Sequence, residues 1–283
     1  MQHVAFIINP HSAKKNYQPF LNELQEKIDH PIYYISESIE GTDRFIKEHF
    51  NSIEIFVAVG GDGTISSVAQ HLIHTDKKLA IYPAGSGNGF ANETNFGKNL
   101  DQLLEKIKKN KFQKIDTMTV NGRLSINVSG VGFDSKVVKE FEKTMRGFLN
   151  YIKVSLAVFF RYQPVHLSFH EEQFKKYNGH YLMLNVANTR QFGNHAYIAP
   201  NADKTDGLAE AVLVKKFPFT YGLLFAYRMF TKRLKEDRYV SFVSTSEMCV
   251  NADTEDWHLD GEYHAIPSPV NIKIMPASLK VII

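Results

Sequence analysis

The sequence predicts two joined domains, an α/β domain built on a parallel sheet and then a mainly antiparallel β domain. Three observations lead there. Short, continuous apolar runs alternate with helix-like stretches over residues 1–118. Each of those runs ends in a turn rich in Gly, Pro or Asn. Beyond that point strand-like segments continue, but regular intervening helices stop. Apolar strands separated by helices describe a parallel sheet covered on both faces.

In chain order, Val4–Ile8 is the first apolar run and ends at Asn9-Pro10. Ile53–Val59 is the second and ends at Gly60-Gly61; Leu79–Tyr82 is the third and ends at Pro83-Ala84-Gly85. Helix-like stretches cover 17–28, 42–50 and 64–74. In such sheets ligands bind at the carboxyl ends of the strands. The segments Arg123–Val128, His166–Phe169, Tyr181–Val186, Ala209–Val214 and Val270–Ile274 read as strands of the second domain. Helical stretches near 143–160 and 218–236 interrupt them. The domains are therefore placed at 1–118 and 119–275, with 276–283, which holds the strand Leu279–Ile283, returning to the first.

The chain has 283 residues, 43% of them hydrophobic and 22% charged, enough to fill the cores of two modest domains. A net charge of +3 is too small for a dedicated nucleic-acid binder. Cys249 is the single cysteine, so no intramolecular disulfide forms and nothing favours secretion. The N-terminal Met-Gln-His-Val-Ala runs into a strand without signal-peptide features. Phe148–Phe160 is the most apolar stretch, but it is short and carries Lys153, so it does not read as a membrane span. A cytoplasmic protein is the expectation.

The strongest motif is Gly60-Gly61-Asp62-Gly63-Thr64, at the end of a strand and the start of a helix. Glycines let the backbone approach a phosphate, and N–H groups at a helix start attract anions. Asp62 suits holding Mg²⁺ through water or orienting loop donors, and Thr64 can cap the helix and offer a hydroxyl. The plain alternative is an ordinary strand-to-helix turn. A second loop, Gly85-Ser86-Gly87-Asn88-Gly89, follows the third strand, and Asn9-Pro10-His11-Ser12-Ala13 follows the first. Three such loops at successive strand ends describe a nucleotide site far better than one. No Gly-x-x-x-x-Gly-Lys-Ser/Thr occurs, and no Gly-x-Gly-x-x-Gly follows the first strand. P-loop NTPases and the usual dinucleotide folds are thereby disfavoured.

Together, Asn9-Pro10-x-Ser12, Gly60–Thr64 and Gly85–Asn88 resemble the diacylglycerol kinase catalytic family, which includes bacterial lipid kinases and sphingosine kinases. The likeness continues through Gly130-Val131-Gly132-Phe133-Asp134, Asp206-Gly207-Leu208 and Leu259-Asp260-Gly261-Glu262, in the family's order. The resemblance implies an NAD-kinase-like nucleotide-binding domain followed by a β-sandwich domain for the lipid. It implies ATP contacts from Asn9, Pro10, His11, Ser12, Ala13, Gly60, Gly61, Asp62, Gly63, Thr64, Ile65, Ser66, Gly85, Ser86 and Asn88, with Ser36 where the family has Thr. The family's proton acceptor matches Glu262, with Asp260 as support, and Asp62 joins them in the expected catalytic set. A structural Mg²⁺ would be held at Asp203, Asp206 and Leu208. Two departures stand out: Gly89 where the family commonly has Asp, though sphingosine kinases also lack it, and Ala13 where Gly is usual.

The residues agree with that chemistry. A kinase acting on an alcohol must position the hydroxyl, neutralise the transferring phosphoryl group and receive a proton. Asp260-Gly261-Glu262 offers two acids in a tight turn, although a solvated turn has the same composition, and either acid could be the base. Asp203–Leu208 is by default an Asp-Gly turn, and its oxygen donors suit a hard cation. His166 and His170 alternate along a strand and do not form a zinc motif. Residues 219–235 place Leu223, Ala226, Tyr227, Phe230 and Leu234 at helical spacing, with Arg228, Lys232 and Lys235 as a basic stripe. Such a helix either packs on the core or rests on anionic lipid.

The expected protein is a lipid kinase that moves the γ-phosphoryl group of ATP to diacylglycerol or a related lipid such as a sphingoid base. It would use Mg²⁺ and work at the inner membrane surface, with a homodimer among the assemblies open to it. The rivals are an NAD kinase, whose Asn-Glu pair Asn92-Glu93 matches only faintly, and a catalytically weak nucleotide-binding regulator.

Overall fold

The computed structural model describes residues 3–12, 16–144 and 148–283. The chain forms two compact units, Met1–Ile115 with Ala277–Ile283, and Asp116–Pro276.

The first unit contains β1 (Val4–Ile8), α1 (Gln18–Lys27), β2 (Ile32–Ile35), α2 (Ile39–His49), β3 (Ile55–Gly60), α3 (Asp62–Ala69), β4 (Lys78–Pro83), α4 (Gly89–Glu93) and α5 (Leu100–Lys109). Its strands lie in the order β2-β1-β3-β4 and all run parallel. The chain's last residues add beside β4, with Lys280 opposite Lys78. Every residue of β1 and β3 is buried, as their unbroken apolar sequences require. Ile8 sits opposite Val59 and Gly60 opposite Pro83, so the loops after β1, β3 and β4 emerge level along one edge. In α5, Leu100, Leu103, Leu104 and Ile107 form the buried stripe, Asn99 caps the start and Lys106, Lys108 and Lys109 close the last turn.

The second unit is entered through β5 (Phe112–Val120). It continues with β6 (Arg123–Ser125), β7 (Val128–Gly132), α6 (Phe133–Phe141), α7 (Phe148–Phe159), β8 (Val165–Phe169), β9 (Gly179–Tyr181), β10 (Met183–Ala187), β11 (Ala209–Val214), α8 (Phe219–Phe230), β12 (Val240–Thr245), β13 (Glu247–Ala252), β14 (Asp256–Leu259) and β15 (Glu262–Ala265). The chain leaves it along β16 (Val270–Ile282). One antiparallel sheet has the order β12-β11-β10-β7-β14-β15. The other pairs the start of β16 with β13, then β8 and β9. Val131, Leu184, Leu213 and Trp257 of the first sheet pack on Leu167, Met248, Val250 and Ile272 of the second. Two antiparallel sheets closed over one core make a β-sandwich. Alternate residues of the first sheet, including Met183, Val212 and Val214, point the other way and pack on Phe217 and Phe225.

Several boundaries differ from the sequence pattern. Arg123–Val128 is broken between β6 and β7, and Tyr181–Val186 is broken at Leu182. The stretches Val270–Ile274 and Leu279–Ile283 are one strand, its continuity masked in sequence by Pro276 and by Ala277, whose φ is 50°. The helix over 218–236 ends at Phe230, and Leu234 folds back into the core. Arg228 is not a free member of a basic stripe, because its guanidinium pairs with Asp237 at 2.8 Å.

Candidate active site

The two glycine loops of the first unit meet backbone to backbone. A Cβ on Gly85 would stand 2.6 Å from the Cα of Gly61, and a Cβ on Gly60 would stand 2.3 Å from Thr64 Oγ1. Only glycine permits that approach. Asp62, in the first turn of α3, then locks the pair. Its Oδ2 accepts the N–H of Gly89 and its Oδ1 the N–H of Phe90, each at 3.1 Å, at the start of α4. A Cβ on Gly87 would lie 3.6 Å from that carboxylate, so the loop wraps around it. Asn88 turns the loop with a left-handed backbone (φ 51°) and donates its amide to Gly85 O at 2.9 Å.

Asn9 ties the loop after β1 to the same assembly. Its Nδ2 donates to Thr64 Oγ1 at 2.8 Å, and its Oδ1 accepts the N–H of His11 at 2.9 Å. Thr64 therefore does not cap α3: the N-cap is Gly61, without a side-chain bond, and the Thr64 hydroxyl is committed to Asn9. The first-turn N–H groups of α3 have no intrahelical carbonyl to meet and face the edge where the loops converge. Ser12 N–H donates to Asn9 O, Ser66 lies in α3 and Ile65 is buried beneath it. Ser86 is exposed at the tip of the second loop. Ser36 follows β2, and its hydroxyl bonds Thr42 at 2.7 Å. Pro10 lies in the turn after β1; Ala13 falls outside the described residues.

In the second unit the acids of the Asp260-Gly261-Glu262 turn separate into two roles. Asp260 is buried, with φ 51°, and its carboxylate accepts from Ser125 Oγ (2.7 Å), Ile126 N (3.0 Å) and Asn127 N (2.8 Å). Burial pushes this carboxyl above the usual range, against the pull of those donors. Gly261 takes φ 87°, and Glu262 emerges exposed at the start of β15. α6 braces this hairpin: Lys139 reaches Asp256 at 2.7 Å and Tyr263 Oη at 2.9 Å, and Glu142 accepts the Tyr263 N–H at 3.1 Å.

Asp203, Asp206 and Leu208 share one loop. Asp203 Oδ1 accepts from the Thr205 N–H (3.0 Å) and hydroxyl (2.7 Å), and Asp206 Oδ1 accepts the N–H of Leu208 at 2.9 Å. Each carboxylate keeps a second oxygen, and carbonyls lie beside them. These are hard donors that fit Mg²⁺ in kind. Among the described residues no group of three or more His, Cys, Asp or Glu side chains can enclose a metal, so carbonyls and water would complete any shell.

Sequence reading missed the polar core that joins these features. Buried Asp116 accepts the N–H of Gly207 at 2.7 Å, which pins the Asp203–Leu208 loop. Asn188 Nδ2 donates to Asp116 O at 2.8 Å and to Ile126 O at 3.0 Å, next to the donors that hold Asp260. The signal was a lone acid in an apolar strand, Ile115-Asp116-Thr117-Met118. Buried His258 was missed too; its Nε2 meets Asp134 Oδ2 at 2.9 Å and Asn185 Oδ1 at 3.3 Å, so that nitrogen carries the proton.

Residues 3–120 match the diacylglycerol kinase catalytic domain, and residues 127–283 match the YegS C-terminal NAD kinase beta sandwich-like domain. A diacylglycerol kinase of Bacillus subtilis is 23% identical over 275 residues, 93% of this chain and 90% of that protein. One of Mycobacterium tuberculosis is 29% identical over 237 residues, 80% and 75% of the two chains. The crystal structure of a diacylglycerol kinase from Bacillus anthracis superposes with a TM-score of 0.74 at 17% identity, covering 99% and 96%, a likeness of fold.

Proposed function

Because the chain belongs to the family that joins a diacylglycerol kinase catalytic domain to a YegS-type β-sandwich, we propose that it is a lipid kinase. In this reading it moves the γ-phosphoryl group of ATP to the hydroxyl of diacylglycerol or a related lipid, in the cytoplasm at the inner membrane surface. One observation carries the nucleotide half: Asp62 holds the N–H groups of Gly89 and Phe90 and so fuses two glycine loops into one backbone cradle. Such a cradle binds phosphates through N–H groups and needs no lysine.

The transfer is then mainly a matter of placement. The loops after β1, β3 and β4 hold the triphosphate, with Asn9 fixing the first of them against Thr64. Mg²⁺ bound with the nucleotide would neutralise charge on the phosphate oxygens. As the acceptor oxygen bonds to the γ-phosphorus, the bond from that phosphorus to the β,γ-bridging oxygen breaks and ADP leaves, and the hydroxyl proton passes to Glu262. Asp260, held by three donors, keeps the turn in the shape that presents Glu262. The Asp203–Leu208 loop would hold a second, structural Mg²⁺ and steady the polar core behind that turn. The test is transfer of label from γ-labelled ATP to a panel of lipids in mixed micelles, with NAD as the competing acceptor.

A further inference from the structure

α7 has a mean composition as apolar as a core helix, yet none of its described side chains is buried. α8 buries only Phe225. Most of the large hydrophobic side chains exposed among the described residues lie on these two helices and the residue after α7. Leu149 (76% exposed), Ile152, Leu156 and Phe160 recur at helical spacing on one side, and Phe219 and Leu223 (65%) do so on the other. The two rows are continuous, because the Phe160 and Phe219 rings stand 5.3 Å apart. An exposed apolar surface of this kind marks an interaction site.

Charge selects the partner. No Asp or Glu occurs from Lys143 to His170, or from Ala211 to Lys235. Lys153 on α7, and Arg161, Lys215, Arg233 and Lys235 in the residues that flank the two helices in sequence, are exposed. A second copy of the chain would bring the same excess of positive charge to the contact. An anionic lipid surface complements both properties, apolar side chains entering the acyl boundary while lysine and arginine meet the headgroups. Among the described residues no helix is long and apolar enough to cross a membrane, so the contact is peripheral.

We propose that the joined faces of α7 and α8 dock the protein on an anionic membrane. Exposure and charge define the surface, and its purpose rests on the lipid-kinase reading. That purpose has a structural basis: α6 packs against α7 on one side and against β14 and β15, which carry the Glu262 turn, on another. A docked α7 thus lies one helix layer from the candidate base.

The test is sedimentation of the full chain with vesicles of phosphatidylglycerol or of phosphatidylcholine. The expected result is binding to phosphatidylglycerol, weaker binding to phosphatidylcholine, and a loss of about tenfold or more in the Leu156→Ser, Leu223→Ser double variant. Both positions are exposed, so the fold should survive. As a second variant, Leu156→Trp should gain an emission that shifts to the blue and is quenched by brominated acyl chains, while the emission of fully buried Trp257 is neither shifted nor quenched. Absence of vesicle binding, equal binding by the double variant, or an unquenched tryptophan overturns the proposal. So does a dimer in solution that the double variant dissociates while vesicles are ignored, since a second copy then owns the face. Binding to phosphatidylglycerol without phosphorylation of any lipid leaves the docking surface standing and removes the lipid-kinase reading. Retained activity of the double variant on a short-chain, water-soluble diacylglycerol supports a role in docking alone.

Discussion

The carboxylate of Asp62 accepts the backbone N–H of Gly89 at 3.1 Å, across the gap between two glycine loops. The family commonly carries an acid at position 89; here the position supplies a backbone donor to an acid from the neighbouring loop. Asp62 is therefore first a clamp on the cradle. Asp62→Asn keeps the size but removes the charge and offers one acceptor oxygen where two were used. Hydrogen bonds to a charged acceptor are worth about 1.5–3 kcal/mol. The expected outcome is a cooperatively folded variant with weakened ATP binding and strongly reduced turnover, read by calorimetric titration and steady-state rates. Wild-type values for both would contradict the clamp.

Gly85→Ala should separate the loops, because the new Cβ would stand 2.6 Å from Gly61 Cα, and both atoms belong to backbone-bound positions that cannot swing aside. ATP affinity should fall at least tenfold. Gly97→Ala, where a Cβ meets nothing within 4 Å, is the matched control and should bind ATP normally. The comparison is made by titration with ATP and by thermal melting of both variants.

Glu262→Gln should lower kcat by about 10²–10⁴-fold, the usual contribution of a positioned base, with ATP affinity kept. Asp260→Asn should act differently. Losing a buried acceptor for Ser125, Ile126 and Asn127 should lower the melting temperature of the protein as well as kcat. Normal kcat in Glu262→Gln, with Asp260→Asn inactive but fully stable, would move the base to Asp260.

Mg²⁺ should raise the melting temperature of the wild type without nucleotide, and the Asp203→Asn, Asp206→Asn double variant should lose that increment. The loop's anchors on Asp116, whose carboxylate accepts the Gly207 N–H and whose own N–H donates to Lys204 O, are untouched by the change. An equal Mg²⁺ increment in the double variant would place the ion elsewhere.

Much of this is legible in the sequence. The fully buried β1 and β3 read as unbroken apolar runs, and the glycines after β3 and β4 marked where backbones must approach. What could not be read was long-range pairing. Nothing near Asp62 in sequence announces that its partners are Gly89 and Phe90, and nothing near Asp260 announces Ser125–Asn127. The two acids of one turn look alike in sequence; their burial separates them into an anchor and an exposed carboxylate. Likewise, spacing alone could not tell a core helix from a surface one. Leu223, Tyr227 and Phe230 share the helical pattern with Leu234, yet the three on α8 are exposed, while Leu234, 5% exposed, lies beyond the helix's end.

The fate of the γ-phosphate decides between a lipid and a dinucleotide acceptor. The full chain is incubated with γ-labelled ATP, Mg²⁺, diacylglycerol in mixed micelles and an equal concentration of NAD, and the products are separated by organic extraction. A lipid kinase leaves label in the organic phase as a phosphorylated lipid and little in NADP, and Glu262→Gln loses the lipid label. Label in NADP with none in lipid would contradict the lipid-kinase reading.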